Sequence, residues 1–232
     1  MPLTFLITSG HTKEYIDPVR FISNDSSGKM GAELARRALK KNHKVIFITG
    51  GYEVKPPVEA KIIKVTSALD MFKAVKENLD KADIVIGVAA VADFRPETYK
   101  NHKIKKEAAL PVIKLIKNPD IIAYCGKNKK KQVVAGFALE THDLIPNAVK
   151  KLKNKNLDLV VANGRQSLGS NKTTVHLISV PSVIARNGSD AAIQGGFAVN
   201  SLNQVSKNTA AGKIIDETIR IFGHIKTGKK NA

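Results

Sequence analysis

The stretch from Ala82 to Lys106, ADIVIGVAAVADFRPETYKNHKIKK, constrains what this chain can fold into more than any other. Ile84 to Val88 is an uninterrupted apolar run that ends in small residues. Such a run suits a strand buried on both faces of a parallel sheet, which needs helices above and below it. The chain then turns polar. Ala89, Ala90 and Ala92 leave room for a ligand to approach the backbone, Asp93 offers a carboxylate, and Lys103, Lys105 and Lys106 follow on a segment made irregular by Pro96. Ligands of open α/β sheets bind beyond the carboxyl ends of the strands, so chemistry is expected here. An ordinary buried strand with a solvated loop after it fits the same pattern, and the rest of the chain must decide.

The flanking segments alternate between strand and helix. Leu3 to Thr8 reads as a buried strand, about Ser27 to Lys41 as a helix with Leu34, Ala35 and Ala38 on its apolar face, and Val45 to Thr49 as a strand closed by Gly50 and Gly51. Ile62 to Val65 is a further strand and Ala68 to about Leu79 a further helix. Beyond the lysines, Val112 to Ile116 and Val133 to Phe137 read as strands around a short helix after Pro119. Thr141 to Asn154 follows as a helix, Leu157 to Ala162 and Val175 to Ser179 as strands, 181–196 as a surface loop, and Leu202 to Phe222 as a final amphipathic helix. The alternation predicts an α/β fold with a doubly wound, Rossmann-like, mostly parallel sheet and helices on both faces. One domain is expected over residues 1–225, with a basic disordered tail over 226–232.

Composition narrows the function classes. With 232 residues, 43% of them hydrophobic, the chain can bury a full core. No apolar run reaches the roughly 20 residues of a membrane helix. The start, MPLTFLITSG, has no basic segment ahead of its apolar run and Cys125 stands alone, so no signal peptide and no internal disulfide are expected, and a cytoplasmic location fits. The net charge of +18 invites a nucleic-acid reading. Only seven of the 38 basic residues are Arg, Trp is absent and aromatics make up 5%, which argues against base readout and stacking. The surplus lysine can still attract small polyanions such as nucleotides.

Three short motifs carry candidate chemistry. NDSSGKMG at Asn24 to Gly31 enters a helix and suits an anion, or is a plain helix start capped by Ser26 or Ser27. It has neither the Walker order nor the G-x-G-x-x-G of dinucleotide sites. Lys117-Asn118-Pro119-Asp120 opens a helix and is either a turn or a set of groups able to read the edge of a base. Lys151 and Lys155 lie one turn apart on a helix face, where they grip a polyphosphate or face water. The histidines show no metal-ligand spacing, and no G-x-S-x-G elbow is present.

Six ordered segments resemble phosphopantothenoylcysteine synthetase: Thr8 to Gly31, AAVADFRP at Ala89 to Pro96, KIKK at Lys103 to Lys106, KNPDI at Lys117 to Ile121, GFALET at Gly136 to Thr141, and Lys151 to Asn163. The resemblance implies a ligase of coenzyme A biosynthesis. It would activate 4'-phosphopantothenate with CTP as an acyl-cytidylate, releasing pyrophosphate, and transfer the acyl group to L-cysteine with release of CMP. KIKK with NPDI resembles the CTP-using bacterial branch. Mg2+ would bridge the phosphates, with its direct metal ligands unknown. By the same resemblance Gly87, Val88, Ala89 and Asp93 line the nucleotide pocket, Pro119, Asp120, Ile121 and Ile122 recognise cytosine with Phe137 nearby, and Lys151 and Lys155 meet the phosphates. Lys103 would stabilise charge at the reacting carboxylate and α-phosphate. Asn24 with Ala89 and Ala90 would hold the pantothenoyl part, and Arg20 would support that site. The family's Asn24 counterpart comes from the neighbouring subunit, which implies a homodimer with shared active sites. Two departures stand out: His11 replaces a family glycine, and Asn163-Gly164 with Leu168-Gly169-Ser170 replaces the later loop pattern. The resemblance also implies no FMN on this part and a separate decarboxylase chain, while the composition argues against a membrane or nucleic-acid partner.

Overall fold

A computed structural model describes residues 1–105, 112–164, 170, 172–180, 192–194 and 196–228. The strands are β1 (Thr4–Ser9), β2 (Lys13–Tyr15), β3 (Phe21–Ser23), β4 (Lys44–Thr49), β5 (Lys61–Lys64), β6 (Ile84–Gly87), β7 (Phe94–Pro96), β8 (Leu115–Lys117), β9 (Val133–Glu140), β10 (Leu159–Gly164), β11 (Lys172–Ser179), β12 (Ala192–Gln194) and β13 (Phe197–Ser206). The helices are α1 (Lys29–Lys40), α2 (Ala68–Asn78), α3 (Ile121–Asn128), α4 (Leu144–Asn154) and α5 (Lys207–Gly228).

Among the described residues nine strands form the main sheet in the order β12-β13-β11-β10-β9-β6-β1-β4-β5. The six from β5 to β10 are parallel, and β11, β13 and β12 add an antiparallel flank. The parallel part has the 3-2-1-4-5-6 order of the doubly wound fold, so its winding direction reverses between β1 and β6. Phe5, Ile7, Ile84 and Ile86 point to one face, where Leu34, Ala38, Ile214 and Phe222 of α1 and α5 cover them. Leu6 and Val85 point to the other, under Met71, Val75, Cys125 and Leu152 of α2, α3 and α4. Burial on both faces is what the unbroken apolar runs required.

Several boundaries differ from the sequence reading. Val112 to Ile116 is not a strand of the main sheet; β8 begins at Leu115 and pairs with β7 as a separate ribbon. Neither Ser26 nor Ser27 caps α1 by its side chain. Gly28 occupies the cap position in the left-handed region at φ 72 with no side-chain cap, and the Ser27 carbonyl accepts the Glu53 amide. The segment from Leu202 to Ser206 is the end of β13, and α5 starts at Lys207, where the Ser206 hydroxyl accepts the Thr209 amide. That helix runs on to Gly228, through the first residues of the expected tail. Within the expected loop of 181–196, Ala192–Gln194 is strand β12. The short strands β2, β3 and β7 have no counterpart among the elements expected from the sequence.

Candidate functional site

At the carboxyl ends of β6 and β9, on the α3 and α4 side, lies a cleft of about 190 Å³. Gly87 and Phe137 line it from β6 and β9, the loop after β6 brings Ala89, Val91, Ala92 and Asp93, and the entry to α3 brings Pro119, Asp120, Ile121 and Ile122. Lys151 and Lys155 reach in from the end of α4. Ten of the residues carried over from the family for the nucleotide thus share one cavity. Val88 does not, because alternation turns its side chain to the α1 face, beside Gly31. Lys103 is exposed and is not among the lining residues.

The charges of the cleft are organised around the start of α3. Asp120 is the cap, its Oδ1 accepting the Ala123 amide at 3.0 Å and its Oδ2 lying 2.6 Å from the Lys155 ammonium. Partial burial pushes the Asp120 pKa up, but the Lys155 hydrogen bond, the Ala123 amide and the nearby lysine charges outweigh it and hold the carboxylate below its ordinary 3.8. Lys151 donates to the Phe137 carbonyl at 2.6 Å. Burial, then repulsion from Lys155, hold its pKa below 10.5 against the attraction of Asp120, Glu140 and Asp93. Cys125 lies on the apolar wall, where burial and the Asp120 charge push its thiol up to about 12, so it is a neutral, inert surface. The amides of Ile121 and Ile122 have no acceptor among the described residues, as the open first turn of a helix allows.

Sequence reasoning missed Thr8, Val85, Val91 and Cys125 as lining residues, gave Asn118 no role of its own, and had Ala92 only as room for a ligand. Asn118 was legible in part, since it stands inside the KNPD motif. Its amide nitrogen donates to the Ala92 carbonyl at 2.8 Å and its oxygen accepts from Arg95 at 3.0 Å, tying the β6 loop to the start of α3.

The residues expected on the pantothenoyl side lie on the loops next to the cleft. Asn24 donates to the Val91 carbonyl of its own chain at 3.1 Å, and Ala90 donates to Gly10 at 2.8 Å. Arg20 lies at the β2–β3 hairpin, paired with Asp17 at 2.9 Å. The His11 ring fills the space over Gly51, where an added Cβ would stand 2.2 Å from its Nε2, and its Nδ1 is 2.9 Å from the Ser26 carbonyl. The turn after β1 is therefore packed by a side chain where the resemblance led to the expectation of an open glycine. Leu168 and Gly169 lie outside the described residues.

A doubly wound α/β domain with an amide-rimmed cleft at its strand ends, lined by two carboxylates and two ammonium groups, is a domain of the Rossmann-like class. Residues 2–221 match the DNA/pantothenate metabolism flavoprotein C-terminal domain, and the chain belongs to that family. It is 45% identical over 181 residues to the coenzyme A biosynthesis bifunctional protein CoaBC of Borreliella burgdorferi, covering 77% of this chain and 46% of that protein. Identity to the CoaBC protein of Bacillus subtilis is 46% over 166 residues, or 71% and 41% of the two chains. The chain thus spans less than half the length of these relatives. The crystal structure of the C-terminal domain of a CoaBC protein superimposes with a TM-score of 0.76 at 33% identity, covering 96% of each chain. A Cab2 variant in complex with phosphopantothenate-cysteine shares the fold at a TM-score of 0.78 and 20% identity.

Proposed function

We propose that this domain is a CTP-dependent phosphopantothenate–cysteine ligase. The observation that carries the reading is the gathering of Asp93, Asp120, Lys151, Lys155 and the open α3 amides in one cleft, in a chain of the CoaBC C-terminal family. The Ile121 and Ile122 amides are two adjacent donors, and cytosine presents two adjacent acceptors, O2 and N3. Lys151 and Lys155 supply positive charge where the triphosphate would lie, the Lys155–Asp120 pair loosening as phosphate oxygens arrive.

The chemistry follows in two balanced steps. A carboxylate oxygen of 4'-phosphopantothenate attacks the α-phosphorus of CTP; a P–O bond forms and the bond to the β-phosphate oxygen breaks, so pyrophosphate leaves with its electron pair. The amine of L-cysteine then attacks the acyl carbon, a C–N bond forms, the C–O bond to phosphate breaks, and CMP leaves while the amine loses a proton. Lys103 stabilises charge at the carboxylate and α-phosphate in the first step, and Asn24 orients the acyl group for the second. No three His, Cys, Asp or Glu side chains gather as a metal set among the described residues, so Mg2+ would be held through the triphosphate and would neutralise its charge.

The working protein is assigned as a homodimer in the cytoplasm. Two adjacent ribbons, β2–β3 and β7–β8, expose Tyr15, Phe21, Phe94 and Leu115 in this single chain, an apolar surface suited to a second copy. No helix among the described residues is long and apolar enough to cross a membrane.

The deciding experiment measures pyrophosphate and nucleoside monophosphate release with magnesium, phosphopantothenate and cysteine, comparing CTP with ATP and omitting each substrate in turn. CMP formation that depends on cysteine is expected; absence of turnover with either nucleotide overturns the reading. Lys103→Gln is expected to slow acyl-cytidylate formation by about 10²- to 10³-fold. An Asn24→Ala protein should still form the intermediate and fail to pass it to cysteine.

A further inference from the structure

The described part of the lysine segment does not hang free. Leaving β7 it runs back over the β2–β3 hairpin, where the Lys100 amide donates to the Ile16 carbonyl at 2.9 Å. Four residues on, the Ile104 peptide is gripped from both sides. Its N–H donates to Asp17 Oδ2 at 3.1 Å, and its carbonyl accepts both terminal nitrogens of Arg20, each at 3.2 Å. Asp17 is fully buried, at 0% exposure. Its other oxygen accepts the Val19 and Arg20 amides, both at 2.8 Å, and Oδ2 also accepts Arg20 Nη1 at 2.9 Å.

One carboxylate therefore uses its full acceptor capacity to join the hairpin, the Arg20 guanidinium and the lysine segment. Burial alone pushes the Asp17 pKa up, but the Val19, Arg20 and Ile104 amides and the Arg20 charge together hold it below 3.8. It stays ionised at neutral pH. Ile104 is half-buried, while Lys103 and Lys105 on either side are exposed. The backbone is fixed and the two ammonium groups are left free to act.

We propose that Asp17, through Arg20, is a positioning residue that anchors the lysine segment at Ile104 and so presents Lys103 to the reacting groups. The role of Lys103 rests on the ligase reading; the anchor itself does not.

The test uses the whole chain and two readouts. Limited trypsin digestion, mapped by mass spectrometry, reports how often the peptide bonds after Lys103 and Lys105 leave the hairpin. CTP turnover reports presentation. Asp17→Asn turns an acceptor into a donor facing amides, and cutting after Lys103 and Lys105 should accelerate about tenfold, the size expected when a charged hydrogen bond is lost. Turnover should fall about fivefold. Little further loss is expected when Asp17→Asn is added to Lys103→Gln, because one acts through the other. Arg20→Lys, at a partly exposed position, removes the two-pronged grip on the Ile104 carbonyl and keeps the test open should Asp17→Asn not fold. Wild-type cutting rates in both variants, or turnover losses that multiply with that of Lys103→Gln, overturn the proposal. Faster cutting alongside wild-type turnover in Lys103→Gln retains the anchor and overturns the ligase role given to Lys103.

Discussion

Gly87 shows how one missing atom shapes the cleft. A Cβ there would stand 2.7 Å from Ile122 Cδ1, so a substitution is met by the end of a flexible side chain and not by backbone. Gly87→Ala should push Ile122 into the cavity, raising KM for CTP about fivefold while the melting temperature moves by about 2–4 °C. Steady-state kinetics beside thermal unfolding separates the two effects. His43 makes a prediction in pH. Its Nδ1 accepts the Leu3 amide at 3.1 Å, which needs a neutral ring. Burial first, then the Lys41 and N-terminal charges, hold its pKa below 6.5. The folded chain therefore binds fewer protons than the unfolded chain. This contribution to stability is full above about 6.5 and is lost as pH falls through that value toward the lower folded one. Urea midpoints should hold level from about pH 7 to 8 and decline toward pH 5.5, more shallowly in His43→Asn, whose amide oxygen can accept without titrating.

Whether an element could be read depended on how much of its reason for existing was local. β1, β4, β6, β9 and β10 are apolar runs bounded by glycine or polar residues, and each was recognisable because burial on both faces leaves an unbroken signature. The strands β2, β3 and β7 are three residues each, and pairing across the fold, not composition, makes them strands. The start of α5 was overrun because Leu202 continues an apolar spacing that also fits β13; the Ser206 cap was the available cue. The cleft was legible where a motif carried it, at Pro119 to Ile122 and at Lys151 and Lys155 at the end of α4. Thr8 and Cys125 enter it only because pairing sets β1 beside β6 and packing sets α3 over β6 and β9, and Val88 left it by strand alternation. Helix α2 offers a test at this scale. Ser67 and Asp70 form a reciprocal cap, with the Asp70 amide on Ser67 Oγ at 3.2 Å and the Ser67 amide on Asp70 Oδ2 at 2.9 Å. Ser67→Ala should cost about 1 kcal/mol in chemical denaturation and leave CTP turnover unchanged.

For the molecule as a whole, the exposed ribbons and the net charge of +18 make opposite demands, since apolar faces favour self-association and like charge resists it. If the ribbons form the proposed dimer interface, Phe21→Glu should sediment as a monomer and lose turnover with it, while salt should tighten the wild-type dimer by screening. The Asp17 grip on Ile104 also has a meaning in polymer terms. A side chain explores a volume set by the number of bonds to the nearest fixed point of its backbone. With Ile104 held, that point is one residue from Lys103; with it released, the nearest is Lys100, three residues away. Chain excursion grows as the square root of that number, so the volume available to the Lys103 ammonium rises about fivefold. The effective concentration of Lys103 at any one place falls by the same factor, without loss of a single contact in the cleft.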